Sequence, residues 1–106
     1  MDLDQFARAL DVFAAHEPTH LYLHHVQVFL EVARHGQRTF EEITNTLKVS
    51  TASVSRIAAS LSDTHRKGHP GLGLVEIHKD PKEGRRYLLM LSPKGEALAR
   101  NLRNLQ

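Results

Sequence analysis

The sequence predicts a mainly α chain with one small β-hairpin, an α+β arrangement of about five helices. Three observations carry that reading. Two short helical patterns, 40–47 and 51–64, are separated by only three residues, Lys48 to Ser50. Two strand-like runs within 74–91 flank a polar turn, which is the pattern of a hairpin. Ser92-Pro93 then restarts a helical pattern, with serine as N-cap and proline at the first helical position.

The elements follow in order. Residues 3–15 place Leu3, Phe6, Ala7, Leu10 and Phe13 at helical spacing, ahead of Pro18. Residues 19–35 form the main core helix, with Thr19 as N-cap and Gly36 as the stop. Its apolar stripe is Leu23, Val26, Phe29, Leu30 and Ala33. Thr39-Phe40-Glu41-Glu42 is a capping box that opens the helix over 40–47, with Ile43 and Leu47 turned inward. Ser50 caps the next helix, 51–64, whose buried face is Val54, Ile57, Ala58 and Leu61. Residues 67–73 read as a loop, with three glycines and a proline in seven residues. Leu74 to His78 and Arg86 to Leu91 are the two strands, with Val75 and Ile77 sharing a face. The last helix, 93–105, carries Ala97, Leu98, Leu102 and Leu105 on one side.

Helices 40–47 and 51–64 with their three-residue joint form a helix-turn-helix. The outer face of the second helix is unusual. It holds Ala52, Arg56 and Ala59, flanked by Ser53, Ser55 and Ser60, with no acid before Asp63. Solvated helix faces ordinarily carry long charged residues. Small hydroxyl residues instead permit close backbone approach and hydrogen bonds to bases or phosphates. The hairpin turn adds Lys79, Lys82, Arg85 and Arg86, interrupted by Asp80 and Glu83. Long cations on a turn can reach phosphates or enter a minor groove. A helix-turn-helix followed by a basic hairpin is a winged helix, and residues 1–106 are read as one such domain.

Composition excludes several function classes. An apolar share of 41% and a charged share of 25% are those of an ordinary globular domain. The absence of cysteine excludes disulfides, thiolate metal sites, a cysteine nucleophile and thiol redox sensing. No apolar run approaches the roughly 18 residues of a membrane span. The start, Met1-Asp2-Leu3-Asp4, is acidic and unlike a secretory signal. The net charge of +2 hides a split: residues 1–33 carry five acids and one base, the remainder thirteen bases and seven acids. A basic second part suggests an anionic partner.

There are eight histidines, and His20 and His24 share a helix face. Such a pair binds zinc only with further ligands, and neither Glu17 nor Glu31 is obviously placed to help. The set reads as a polar helix face, so no metal and no cofactor are expected. There is no nucleophile elbow and no Gly-rich phosphate loop, and an enzyme is not expected.

The stretch from Thr39 to Gly95 resembles the MarR family of winged-helix transcription regulators. The residues that carry the resemblance are Leu47-Lys48-Val49-Ser50, Ser53-Val54-Ser55-Arg56-Ile57, Leu61 and Gly73-Leu74-Val75. The series continues with Asp80-Pro81-Lys82-Glu83-Gly84-Arg85 and Leu91-Ser92-Pro93-Lys94-Gly95. Glu83 stands where the family usually has aspartate, and Ser92 where it has threonine. The terminal helices are shorter than the family's, and 62–72 is longer than its usual turn.

The resemblance implies a homodimeric repressor or activator that binds double-stranded DNA. The recognition helix would enter the major groove and the wing, with Arg85, the minor groove. The expected DNA-binding residues are Ser50, Thr51, Ala52, Ser53, Ser55, Arg56, Lys79, Lys82, Arg85 and Arg86. The expected dimer residues are Leu3, Phe6, Leu10, Phe13, Leu98, Leu102 and Leu105. The setting would be the cytoplasm of a prokaryote, or a virus or plasmid of one, with no membrane partner. The alternative is a winged-helix interaction module that binds a protein such as a polymerase or nuclease.

Overall fold

The computed structural model describes residues 2–15, 21–63, 71–82, 84 and 86–105. Helix α1 (Leu3–Ala14) opens on a capping box that the apolar spacing alone does not reveal. Asp2 accepts the Gln5 N–H at 2.7 Å and Gln5 returns its side-chain oxygen to the Asp2 N–H at 3.0 Å. Helix α2 (Leu23–His35) starts later than the position of Thr19 predicts. Tyr22 is extended, and its N–H is taken by His25 Nδ1 at 3.2 Å. A histidine at the third helical position therefore takes the part that glutamate or glutamine usually plays in a capping box, and a search for the usual cap residues misses it. Thr19 itself lies outside the described residues.

The buried face of α2 also differs from the expected stripe. Val28, Phe29 and Val32 are fully buried, whereas Leu23 is 69% exposed and Leu30 is also exposed. His25 and Glu31 lie on the buried side. Both have polar partners, which is what lets a helix turn such residues inward. Gly36, at φ +86°, ends the helix in a conformation that favours glycine.

A short strand β1 (Gln37–Thr39) follows, then α3 (Phe40–Leu47) and α4 (Thr51–Leu61). The wing is β2 (Val75–Lys79) and β3 (Tyr87–Leu91), and α5 (Pro93–Arg103) closes the described chain. The strands form one antiparallel sheet in the order β1-β3-β2. Gln37 lies opposite Met90, Val75 opposite Leu91 and Lys79 opposite Tyr87. Strand β1 has no sequence signal, because three residues are too few to show alternation. Ile77 does not share the burial of Val75, because β2 leaves the core after its first residue.

The core gathers residues from every helix and from β2 and β3, among them Phe13, Phe29, Ile43, Val54, Leu61, Val75, Leu89 and Leu98. Phe13 meets Phe29 edge-on, ring centres 5.5 Å apart, the favoured aromatic geometry. Helix α4 ends at Leu61, earlier than expected, because Ser62 is extended. The freed carbonyls of Ser60, Leu61 and Ser62 accept the N–H groups of Leu72, Leu74 and Gly73. Thus the chain entering the wing is laced to the end of α4. A Cβ at Gly71 would overlap the Ser62 carbonyl, and one at Gly95 would overlap that of Leu74. Glycine is therefore required at both close approaches. Of the 62–72 loop, residues 64–70 lie outside the described residues.

Candidate nucleic-acid interface

Helix α3 is held at its start by reciprocal bonds between Thr39 and Glu42, of 3.0 and 2.9 Å. It ends at Lys48, which adopts the left-handed conformation at φ 58°. Two residues later Ser50 caps α4, accepting the Ser53 N–H at 3.1 Å. The joint is short and conformationally specified, so α4 is fixed against α3.

The solvent face of α4 carries Thr51, Ala52, Ser55 and Arg56, all exposed. Ser53, Ala59 and Ser60 are half-buried at its margins. The Ser53 hydroxyl is already engaged, receiving Ser50 Oγ at 2.9 Å and Arg56 Nη2 at 3.2 Å. Those bonds fold Arg56 back over the first turn of the helix. Ser50 rather than Thr51 is the cap, and Thr51 is the first helical residue. No acid lies between Thr51 and Ser62, so the face offers hydroxyls, methyls and one guanidinium to whatever it meets.

In the wing, Asp80 N–H donates to Arg86 O at 2.8 Å, and Asp80 Oδ1 accepts the Lys82 N–H at 2.9 Å. That carboxylate is spent on the turn, as Asx turns commonly do. Lys79, Lys82 and Arg86 are exposed around it. Arg85 and Glu83 lie outside the described residues. The Glu42 carboxyl is held below its usual pKa of 4.5. The hydrogen bond from the Thr39 backbone is the main cause, helped by the Thr39 hydroxyl and the charges of Arg38 and Arg86.

No protein-family model matches the chain, and no curated protein matches it. Solved structures do. The chain is similar to the YusO protein of Bacillus subtilis, with TM-score 0.69 and 16% identity, over 94% of this chain and 63% of that one. It is similar to a MarR mutant of E. coli complexed with operator DNA, with TM-score 0.67 and 17% identity, over 96% and 68%. This chain has the MarR-type winged-helix fold. A third neighbour is reduced AbfR bound to DNA, with TM-score 0.67 and 14% identity, over 94% and 62%. The chain spans about two thirds of the length of these structures.

Within the MarR-type fold, the expected dimer residues divide. Leu3 is 87% exposed, and Phe6 and Leu10 are also exposed, so α1 carries an uncovered apolar row. Phe13 and Leu98 are instead buried in the chain's own core, and Leu102 packs half-buried against it. Leu105 is half-buried just beyond the end of α5. Periodicity places a residue on a helix face but cannot say whether that face meets its own chain or another.

Arg38 escaped the sequence reading, and Lys48 entered it only as part of the joint. Lys48 is exposed beside the start of α4, where its left-handed backbone turns the chain. A cation at the joint was a visible signal. Arg38 joins Glu31, Glu42 and Thr46 across three elements, and no local pattern reveals that. The histidine pair is only half within view: His24 Nδ1 bonds Gln27 Oε1 at 2.9 Å, and His20 lies outside the described residues. Among the described residues no group of three metal-ligating side chains comes together, and no helix is long and apolar enough to cross a membrane.

Proposed function

We propose that this chain is a sequence-specific regulator of transcription that binds double-stranded DNA as a homodimer. The observation that carries the reading is the solvent face of α4: Thr51, Ala52, Ser55 and Arg56 exposed together, with no carboxylate on the helix. A carboxylate there would be repelled by phosphate, whereas short hydroxyl side chains let a helix sit deep in a major groove. The cations Lys79, Lys82 and Arg86 are exposed on the wing, and Arg85 directly precedes Arg86 in the sequence. They would meet the backbone or the adjacent minor groove. Two structural neighbours, the MarR mutant and AbfR, are DNA complexes, which supports the same use of the fold here.

Dimer formation would use the exposed row Leu3, Phe6 and Leu10 on α1, with Leu102 and Leu105 at the margin of α5. Pairing two copies would place two α4 helices on successive major-groove faces of a roughly palindromic site.

The test is selection of duplexes from a random-sequence pool, followed by gel shift of the selected duplex against mixed-sequence competitor at moderate salt. A selected half-site repeated with two-fold symmetry, bound at least about a thousandfold tighter than competitor, is the expected result. Failure to enrich any duplex would refute the reading and favour a protein-binding module.

A further inference from the structure

Glu31 is a carboxylate with 6% of its side chain exposed, and an acid so placed must be paired. Its principal partner is Arg38, whose Nη2 lies 2.9 Å from Glu31 Oε1. Arg34 and His35, from the last turn of the same helix, stand further off at 3.8 and 3.4 Å. Arg38 lies on β1 and its side chain is 19% exposed. Its guanidinium forks: Nη1 reaches Glu42 Oε2 at 2.9 Å and Nη2 reaches Thr46 Oγ1 at 3.1 Å. Glu42 and Thr46 are one turn apart on α3, so a single planar group fixes that helix at two points along its length. The same residue is opposite Leu89 in the sheet and so is registered against β3, the inner strand of the wing.

We propose that Arg38, held by Glu31 and forked onto Glu42 and Thr46, is the positioning residue that sets the recognition helix relative to the wing. The inference rests on the DNA-reading proposal above. The three-residue joint at Lys48 transmits the placement of α3 to α4, and the β1–β3 pairing transmits it to the wing. A buried ion pair is close to break-even for stability, so its consequence is sought in geometry. Arg38 Nε supports this: buried, it meets no acceptor among the described residues, a loss that apolar packing would avoid. Major-groove and minor-groove contacts made together require a fixed spacing between α4 and the hairpin, and this cluster spans the elements that set it.

The experiment compares wild type with two variants. Glu31→Leu/Arg38→Met removes both charges at once, so no lone ion is left buried. Arg38→Lys keeps the charge but cannot fork. Residual dipolar couplings of backbone amides in α4 and in β2–β3 report their relative orientation without DNA. Both variants are expected to stay folded by circular dichroism and to change that orientation. Affinity for the duplex selected by the wild type is expected to fall about tenfold, with affinity for mixed-sequence DNA and the salt slope unchanged. Unaltered couplings in the double variant would overturn the proposal, as would full rescue by lysine. Equal loss on both DNAs with a slope lower by about one would also overturn it, by making Arg38 a phosphate contact. If the wild type enriches no duplex, the regulator reading fails while the couplings still decide the positioning role.

Discussion

Arg56→Ala separates base reading from general attraction to DNA. Arg56 is exposed on α4, and its one described bond is to Ser53 Oγ at 3.2 Å, on the same helix. Removing an exposed intrahelical bond costs at most about 0.5 kcal/mol, and alanine returns a few tenths through helix propensity. The melting temperature should therefore stay within about 3 °C of wild type. Bound to DNA, the guanidinium can leave Ser53 for a base edge at little expense, since the bond it gives up is solvent-exposed. A bidentate base contact is worth about 1–3 kcal/mol, so affinity for the selected duplex should fall about 5- to 150-fold. Affinity for a scrambled duplex should change less than about threefold. Fluorescence anisotropy on both duplexes at four salt concentrations makes the measurement. Equal losses on the two duplexes would refute base reading by Arg56. Unchanged affinity on both would refute the orientation of α4 towards DNA.

Other expectations follow from particular contacts. Arg85→Ala should weaken binding to all duplexes alike and lower the salt slope by about one unit; an unchanged slope removes Arg85 from the backbone contacts. Ser50→Ala deletes the cap of α4 and should cost about 1 kcal/mol, seen as a melting temperature lower by about 4–8 °C. Phe6→Asp places a charge in the exposed apolar row of α1 and should shift sedimentation equilibrium from dimer to monomer without loss of helicity; an unmoved equilibrium puts the dimer elsewhere. The pH dependence of Glu42 has a definite sign. Its pKa is lower folded than unfolded, so its stabilisation is present above about 4.5 and is lost as pH falls through the depressed folded value. Being half exposed, it contributes modestly, and Glu42→Gln should flatten only that acid limb of a urea-denaturation series.

Much of the architecture was legible because it is written in local chemistry. Thr39 with Glu42, Ser50, and Ser92 before Pro93 each mark a helix start by supplying an acceptor to an orphan N–H, and all three are caps in the structure. The buried face of α4 followed from spacing alone, since Val54, Ile57, Ala58 and Leu61 lie within one turn-to-turn stripe. Where local rules competed, the reading failed. Thr19 is a good cap by type, yet α2 begins at Leu23, because His25 captures the Tyr22 N–H.

By itself the sequence determined the order of the five helices and the hairpin, the helix-turn-helix and its hydroxyl-rich face, since capping, periodicity and turn chemistry act within a few residues. Only the tertiary structure decided which apolar faces are spent inside the chain. Phe13 and Leu98 are taken into the core while Leu3, Phe6 and Leu10 are left outside, because burial is set by what packs opposite. It also decided that Arg38, on a strand too short to detect, meets two carboxylates on two helices. Those groups lie seven residues before it and four after. A planar cation joins them only when the fold brings α2, β1 and α3 to one point.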